Sequence, residues 1–531
     1  MYGRTDEVPG SASLPASRST RRSTPRSTLG STLLADGLAG GSVALVLIPQ
    51  ALAYAEIAGV PAHIGLYASA LPLIAAAFFA SSPYLQTGPT ALTALFAFGA
   101  LSPLAEAGTR EYILLASLLA LLVGAIRLAL GIVRLGSFAY VMSEPVVLGF
   151  TAGAAILILA TQVPTMLGVS GTDGILENAF DAVRAPGDWN LDAVAVSAVT
   201  IAVVLLGRRL HPLFPGVLVV VVGGVVWSRI TGYDGRIVGD LPHRFLDPSL
   251  DLPWGRVGSL LVPAAVIAFV GFAEPASIAR TLAAQDRQPW NASRDLTAQG
   301  VANIVSGLSG SFPIGGSLGR SALNRMAGAR TRWSGAFTGL VVLAALPLAF
   351  LVEPLPQAVL GAIVAVVVFK LIRLVAIARL WTISPLQMLI ATGTLIATLA
   401  TAPRIERGVL IGVALSVVTH LYREMDLSLV AAGEGTRVVI APRGVLWFGT
   451  AHKLEGIVVN AIAAHDDVEV LEIDLTGIGR LDYTGAEELR SLCADIETGG
   501  VVVSVVGVPA HARRIAGKTL TRWWREASPA G

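Results

Sequence analysis

The sequence predicts a polytopic α-helical membrane protein that ends in a small soluble α/β domain, and three observations predict it. Charged residues make up only 14% of the chain against 54% hydrophobic, well below the roughly 25% charge of soluble domains. Apolar runs of about 20 residues, the length that crosses a bilayer, recur from residue 33 to residue 424. From about residue 425 the pattern becomes soluble again, with strand-like and helix-like stretches in alternation.

Residues 1–30 are rich in Ser, Thr, Pro and Arg and lack an apolar core, which predicts a disordered cytoplasmic tail rather than a cleaved signal peptide. Fourteen apolar runs follow, at roughly 33–57, 64–81, 89–105, 111–133, 146–167, 191–207, 213–228, 259–279, 295–310, 317–329, 333–352, 355–369, 384–402 and 407–423. Several are short, as half-helices would be. The first is interrupted by Pro49-Gln50, Gly65-Leu66-Tyr67 lies in the second, and Gly88-Pro89-Thr90-Ala91 opens the third. Such steps at bilayer depth leave backbone groups without intrahelical partners, which lipid tolerates only where that backbone lines a cavity. A broken first helix beside a solute site is the expectation.

Even-numbered connections carry Arg134; Arg208 and Arg209; Arg280, Arg287 and Arg294; Arg325, Arg330 and Arg332; and Lys370, Arg373 and Arg379. The positive-inside rule puts them in the cytoplasm, together with both termini. The connection at 229–258 runs against this, with Arg229, Arg236, Arg244 and Arg256 on the external side; its Asp234, Asp240, Asp247 and Asp251 contribute little to orientation. The two halves echo each other. Gly315-Gly316-Ser317 opens the short run at 317–329 as Gly88-Pro89-Thr90-Ala91 opens its own, and the acid-bearing run at 259–279 answers the first. With seven spans per half, the second half is inverted and two half-helix N-termini face each other near the midplane, where their N–H groups favour an anion. The alternative is that both Gly-rich starts are mere bends.

Leu47-Ile48-Pro49-Gln50-Ala51-Leu52-Ala53-Tyr54-Ala55, Gly65-Leu66-Tyr67-Ala68-Ser69 and Gly88-Pro89-Thr90-Ala91 resemble the signature of the sulfate permease (SulP) anion transporter family. Ala298-Gln299-Gly300 through Asn303, followed by Gly315-Gly316-Ser317-Leu318-Gly319-Arg320, resembles its second-half signature, and the resemblance extends over about 31–528. It implies a 7+7 inverted repeat of 14 spans split into core and gate domains, usual dimerisation and a C-terminal cytoplasmic STAS domain. The core would comprise spans 33–133 and 259–352, the gate 146–228 with 355–423. Pro275 after Glu274, and Arg294-Asp295 in place of Gln-Glu, depart from the family pattern.

The expected domains are the tail at 1–30, a transport domain at 31–424 and the STAS domain at 436–528. Within the last, Val445–Phe448 and Val468–Leu475 read as strands and Thr484–Ile496 as an amphipathic helix. Asp474-Leu475-Thr476-Gly477 and Leu481-Asp482-Tyr483-Thr484-Gly485 are similar to the STAS loop, where related anti-sigma antagonists are phosphorylated. Thr484 takes that place here; the alternative is that its hydroxyl is a helix N-cap.

Gln50 and Tyr54 sit one helical turn apart and can offer amide and phenol donors to one cavity. An interhelical hydrogen bond is the other use for Gln50. Pro89 and Thr90 at one half-helix start, with Ser317, Leu318 and Gly319 at the other, would complete a cradle of hydroxyls and N–H groups. Glu274 is the acid deep in an otherwise apolar run, where an ionised carboxylate is costly. Arg320 is its natural partner, and the resemblance places both at the anion site. Proton uptake by Glu274 would release Arg320 to a divalent anion; a static ion pair orienting two helices is the alternative. Arg127 is expected to snorkel or to contact a neighbouring helix.

No metal or nucleophile constellation and no phosphate-binding loop stands out, and a single cysteine, Cys493, excludes an intramolecular disulfide. The net charge of +2 does not suggest nucleic acid. The expected function is therefore not enzymatic and needs no cofactor: secondary active transport of a small inorganic oxyanion, sulfate first, by proton symport across the plasma membrane. A homodimer and a cytoplasmic protein partner for the STAS domain are the expected associations. Bicarbonate or dicarboxylate transport, and a STAS-centred regulatory scaffold, remain as alternatives.

Overall fold

The computed structural model describes residues 29–136, 143–169, 174–210, 214–239, 251–434, 436–465 and 467–525. Nearly all of the expected 1–30 tail lies outside the described residues, as do Asp240, Arg244 and Asp247.

Helix forms wherever hydropathy placed an apolar run. The first half consists of α1 (Leu29–Ile57), α2 (Ala62–Ser69), α3 (Leu71–Phe79), the short strand β1 (Thr87–Gly88), α4 (Ala91–Leu101) and α5 (Arg110–Ile132). After it come α6 (Glu144–Leu167), α7 (Ile175–Arg184), α8 (Leu191–Leu210) and α9 (Gly216–Thr231). The second half begins with α10 (Val257–Gln285), α11 (Ala292–Leu308), strand β2 (Gly315–Gly316), α12 (Leu318–Met326) and α13 (Trp333–Ala345). It continues through α14 (Gln357–Phe369), α15 (Leu374–Ile383), α16 (Pro385–Ala400) and α17 (Ile405–Glu424). Among the described residues, eight helical segments are long and apolar enough to cross a membrane, and four shorter apolar helices accompany them.

The expected break at Pro49 does not occur: α1 runs through it. The proline removes one N–H, the partner of the Leu45 carbonyl, and the remaining helical bonds hold the segment together. The break lies instead in the second run, where Ala70 (φ −98°, ψ −95°) separates α2 from α3. Pro72 follows in the first turn of α3, a position where its missing N–H costs nothing, whereas a continuous helix would have needed it.

The described chain divides into two compact units. The larger holds α1–α5, most of α6, and α7–α14; the smaller holds the first turns of α6, α15, α16, nearly all of α17 and the C-terminal domain. Inside the larger unit, α5 and α11 lie against each other along much of their lengths. An added Cβ on Gly124 would sit 2.6 Å from Ile304 N, and one on Gly300 2.5 Å from Leu128 N, so the two backbones approach closely because side chains are missing there. Helix α1 packs on α2, α12 and α13, while α14 packs on α8 and α9. Leu34, Phe78, Leu206 and Ile230 are exposed on the outer faces, the distribution expected of helices surrounded by lipid rather than water.

In the smaller unit, β3 (Ser428–Glu434) pairs antiparallel with β4 (Arg437–Leu446). Parallel pairing joins β4 to β5 (Val470–Asp474) and to β6 (Ile478–Leu481), and β5 to β7 (Val502–Val506). Helices α18 (Ala451–Ala463), α19 (Tyr483–Thr498) and α20 (Arg513–Thr519) complete an α/β domain whose core includes Ile440, Leu446, Ile473, Leu489 and Cys493. The sheet starts at Ser428, ahead of the expected boundary at 436. The strand expected at 445–448 ends at Leu446, and Trp447 and Phe448 turn out of it in an edge-to-face contact.

Thr484 does not cap α19. The cap is Asp482, whose carboxylate accepts from the Gly485 N–H at 2.8 Å, and Thr484 is exposed in the first turn. Asp and Thr compete for the same role, and the carboxylate is three residues from the N–H it must reach.

Candidate functional site

Strands β1 and β2 cross in antiparallel register, Thr87 opposite Gly316 and Gly88 opposite Gly315. Each runs directly into a short helix, so α4 and α12 leave the crossing in opposite directions. Thr90 caps α4: its hydroxyl accepts from Thr93 N at 3.2 Å, and Thr93 Oγ1 accepts from Thr90 N at 3.3 Å. Ser317 caps α12 by accepting from Arg320 N at 3.5 Å. The caps leave the N–H groups of Ala91 and Leu92, and of Leu318 and Gly319, without intrahelical partners, and the positive ends of two helix dipoles meet at one place.

A cavity of about 720 Å³ lies at this crossing within the larger unit. Gln50, Tyr54, Thr90, Glu274, Ser317 and Arg320 line it, and so do Leu318 and Gly319. The continuous α1 supplies Gln50 and Tyr54 one turn apart, and α10 supplies Glu274 from the opposite half of the chain. Pro89 is buried and is not among the lining residues. It has no N–H to offer and serves to lead the chain into the cap; the donors are the Ala91 and Leu92 amides, both at the cavity wall. The sequence reading also missed Lys370, at the end of α14, and the Pro215–Leu218 stretch that opens α9, which line the same cavity. A signal for Lys370 existed: it is the one lysine between residues 31 and 424.

Arg320 is 2% exposed, and none of Nε, Nη1 and Nη2 has a hydrogen-bond partner. Its guanidinium lies beside β1, where an added Cβ on Gly88 would stand 3.4 Å from Nη2. Glu274 and Tyr54 are within electrostatic range of it. The direct ion pair expected between Glu274 and Arg320 is not formed: the salt bridges among the described residues lie elsewhere. The two side chains come from different helices and both border the cavity without forming an ion pair. A buried guanidinium without protein partners is expensive, and acceptor oxygens at this place would offset that cost.

Of the two expectations for Arg127, contact with neighbouring helices holds and snorkelling does not. The side chain is fully buried and donates to the carbonyls of Ala268 (3.2 Å), Ile267 (2.9 Å) and Ile314 (2.9 Å) and to Gln299 Oε1 (3.2 Å). Gly271 makes room, since a Cβ there would lie 2.5 Å from Nη2. Asn303 holds the same Ile314 backbone from the other side, accepting from its N–H at 2.9 Å and donating to its carbonyl at 3.0 Å. Arg127 thus ties α5 to α10, to α11 and to the residue before β2, and so fixes the crossing from beneath.

Among the described residues no group of His, Cys, Asp and Glu could hold a metal ion; His211 and His243 lie outside them. The model of the sulfate permease family matches residues 33–394, which contain every residue of the cavity described above. The chain belongs to the sulfate permease family. A probable sulfate transporter of Mycobacterium tuberculosis is 36% identical over 396 residues, covering 73% of this chain and 70% of the relative. The sodium-independent sulfate anion transporter of Bos taurus is 27% identical over 525 residues, covering 90% and 84%. Relatives in the family are named as transporters, and the protein is not an enzyme. Its fold is that of the murine solute carrier 26 family member A9 anion transporter in the inward-facing state, with a TM-score of 0.86 at 20% identity over 97% of this chain and 96% of that one. The transmembrane domain of a cyanobacterium bicarbonate transporter superimposes with a TM-score of 0.63 at 23% identity, covering 73% and 97%.

Proposed function

We propose that this protein is a secondary active transporter of an inorganic oxyanion, with sulfate as its first substrate and proton symport as its coupling. The unpartnered guanidinium of Arg320 between two helix N-termini carries the reading. A divalent oxyanion would accept from Arg320, from the Ala91, Leu92, Leu318 and Gly319 N–H groups and from the Thr90 and Ser317 hydroxyls, replacing its lost hydration. Gln50 and Tyr54 add neutral donors, and Pro89 shapes the entry to α4. Relatives named as sulfate transporters, at 36% and 32% identity, support sulfate over bicarbonate or a dicarboxylate.

Glu274 is the coupling group in this reading. Ionised, it competes with the anion for the field of Arg320 across the cavity; protonated, it leaves that field to the anion. Neutralisation by a proton therefore favours binding, and loss of the proton favours release.

The helices support fourteen spans as an inverted repeat: α1, α2 with α3, α4, α5, α6, α8 and α9, against α10, α11, α12, α13, α14, α16 and α17. The core of α1–α5 and α10–α13 would move in an elevator-like step against the remaining spans, in a plasma-membrane homodimer with cytoplasmic termini. The C-terminal α/β domain would be a STAS domain with a cytoplasmic protein partner, its exposed Thr484 a place for phosphorylation.

The test is radiolabelled sulfate uptake by the full chain in liposomes, with and without an inward proton gradient, and with E274Q in parallel. Uptake that the gradient stimulates and E274Q no longer follows is the expected result. Stimulation that survives E274Q unchanged removes Glu274 from the coupling, and no sulfate uptake in any condition replaces sulfate by bicarbonate or a dicarboxylate. Removal of residues 436–531 that leaves substrate preference intact argues against a scaffold.

A further inference from the structure

Between α6 and α8 the chain forms α7, which at ten residues spans about 15 Å and is half the length needed to cross about 30 Å of hydrocarbon. It is nonetheless held at the ends of two membrane helices. Asn190 N–H donates to the Leu167 carbonyl at 3.0 Å, so α6 ends and α8 begins at one level. Ser197 Oγ donates to the Met166 carbonyl at 3.0 Å, and Trp189 Nε1 donates to the Ala182 carbonyl at 2.7 Å, which ties α7 to the start of α8.

At 100° per residue the surface of α7 divides into three sectors. Ala182 is buried and turns one side to the protein. Leu176, Phe180 and Val183 follow round the helix, exposed by 42%, 55% and 55%. Glu177, Asp181 and Arg184 occupy the third sector and are exposed as well. Arg184 marks the seam, its guanidinium carbon 3.8 Å from the centre of the Phe180 ring. Next along the chain, Leu191 and Val199 of α8 are 77% and 60% exposed, so the membrane helix to which α7 is tied also carries large apolar side chains on its outer surface.

We propose that α7 is an interfacial helix: it lays Leu176, Phe180 and Val183 into the boundary between headgroups and acyl chains of the leaflet where α6 ends. Glu177 and Asp181 face water, and Arg184 reaches from the apolar side to the headgroups over the Phe180 ring. The acidic residues on its wet face mean that attachment rests on apolar contact rather than on attraction to anionic lipid. Lipid is the occupant that the position selects, because the hydrogen bonds above hold the helix within a few residues of two span ends. The inference stands apart from the identity of the transported solute.

Site-directed spin labelling of the full chain in phosphatidylcholine vesicles tests it. Cys493 is the single native cysteine, fully buried, with its thiol pushed up to about 12 by burial, so the parent chain provides an unlabelled blank. Labels are placed by Leu176→Cys, Phe180→Cys and Val183→Cys on one sector and by Glu177→Cys and Asp181→Cys on the other. The expected result is a reversal: collisions with oxygen exceed those with a water-soluble nickel chelate at 176, 180 and 183, and the order inverts at 177 and 181. Nickel dominance at all five positions means that α7 stands in water. Shielding of 176, 180 and 183 from both reagents means that a protein surface, such as a second copy, covers them. Either of these outcomes overturns the proposal, and the exposed polar pair reports on the same helix if an apolar substitution disturbs it.

Discussion

Among the described residues two arginines are buried inside the membrane helices, Arg127 on α5 and Arg320 on α12, and their surroundings differ in whether the guanidinium has acceptors. Arg127 makes four hydrogen bonds, three of them to backbone carbonyls. Arg320 makes none. Desolvation is severe for both, and protein acceptors compensate it only at Arg127. Charge and burial alone therefore say little about role; the state of the donors does. Arg127 has its acceptors within the protein, whereas Arg320 has none there, and the proposed anion would supply them.

The comparison breaks most readily at Arg320. R320Q should lower sulfate uptake or affinity about tenfold to a hundredfold, the worth of charge-assisted hydrogen bonds of roughly 1.5–3 kcal/mol, while the anion-free melting temperature in detergent stays the same or rises. A fall in that temperature would mean that Arg320 is structural after all. R127M should do the reverse, costing about 1–3 kcal/mol of stability as Gln299 Oε1 loses its donor, with uptake per folded molecule lowered less than in R320Q because the crossing loses only one of its supports. A well-folded R127M that fails to transport would put Arg127 in the site. E274Q falls between them, abolishing the response to a proton gradient while anion binding persists.

Lys370 sharpens the contrast from the cavity wall. As a charge that steers an anion rather than one that holds it, K370Q should raise the apparent KM about two- to fivefold at low ionic strength and much less at high salt. A salt-independent effect would make Lys370 a direct ligand. The smallest effect on transport belongs to the C-terminal domain: D482A should cost that domain about 0.5–2 kcal/mol through loss of the α19 cap, seen in its own unfolding and not in uptake.

Local signals carried the sequence reading a long way. Each apolar run that hydropathy located forms helix among the described residues, because apolar length is a property of a single segment, whereas α15 falls between two runs. Thr90 and Ser317 announced capped helix starts within a few residues of themselves, and Gln50 and Tyr54 reach the same cavity because helical spacing alone puts them on one side. Local reasoning failed where two local effects compete. Pro49 interrupts one hydrogen bond and leaves α1 whole, Pro72 closes a real break, and Asp482 displaces Thr484 as a cap two positions away.

The rest depended on segments far apart in the chain coming together. Arg127 meets Ile267, Ala268, Gln299 and Ile314 across 140–187 positions, so whether it snorkels or is enclosed could not be read from its own helix. Glu274 and Arg320 face one cavity without pairing, and Lys370 joins them from α14. The sequence by itself determined the class of protein, the course of its helices and the residue types at the two helix starts, since these follow from backbone chemistry and solvent preference over short spans. Only the tertiary structure decided which buried charges are satisfied, because a hydrogen bond to a guanidinium is a matter of a few tenths of an ångström between residues that the chain order keeps apart.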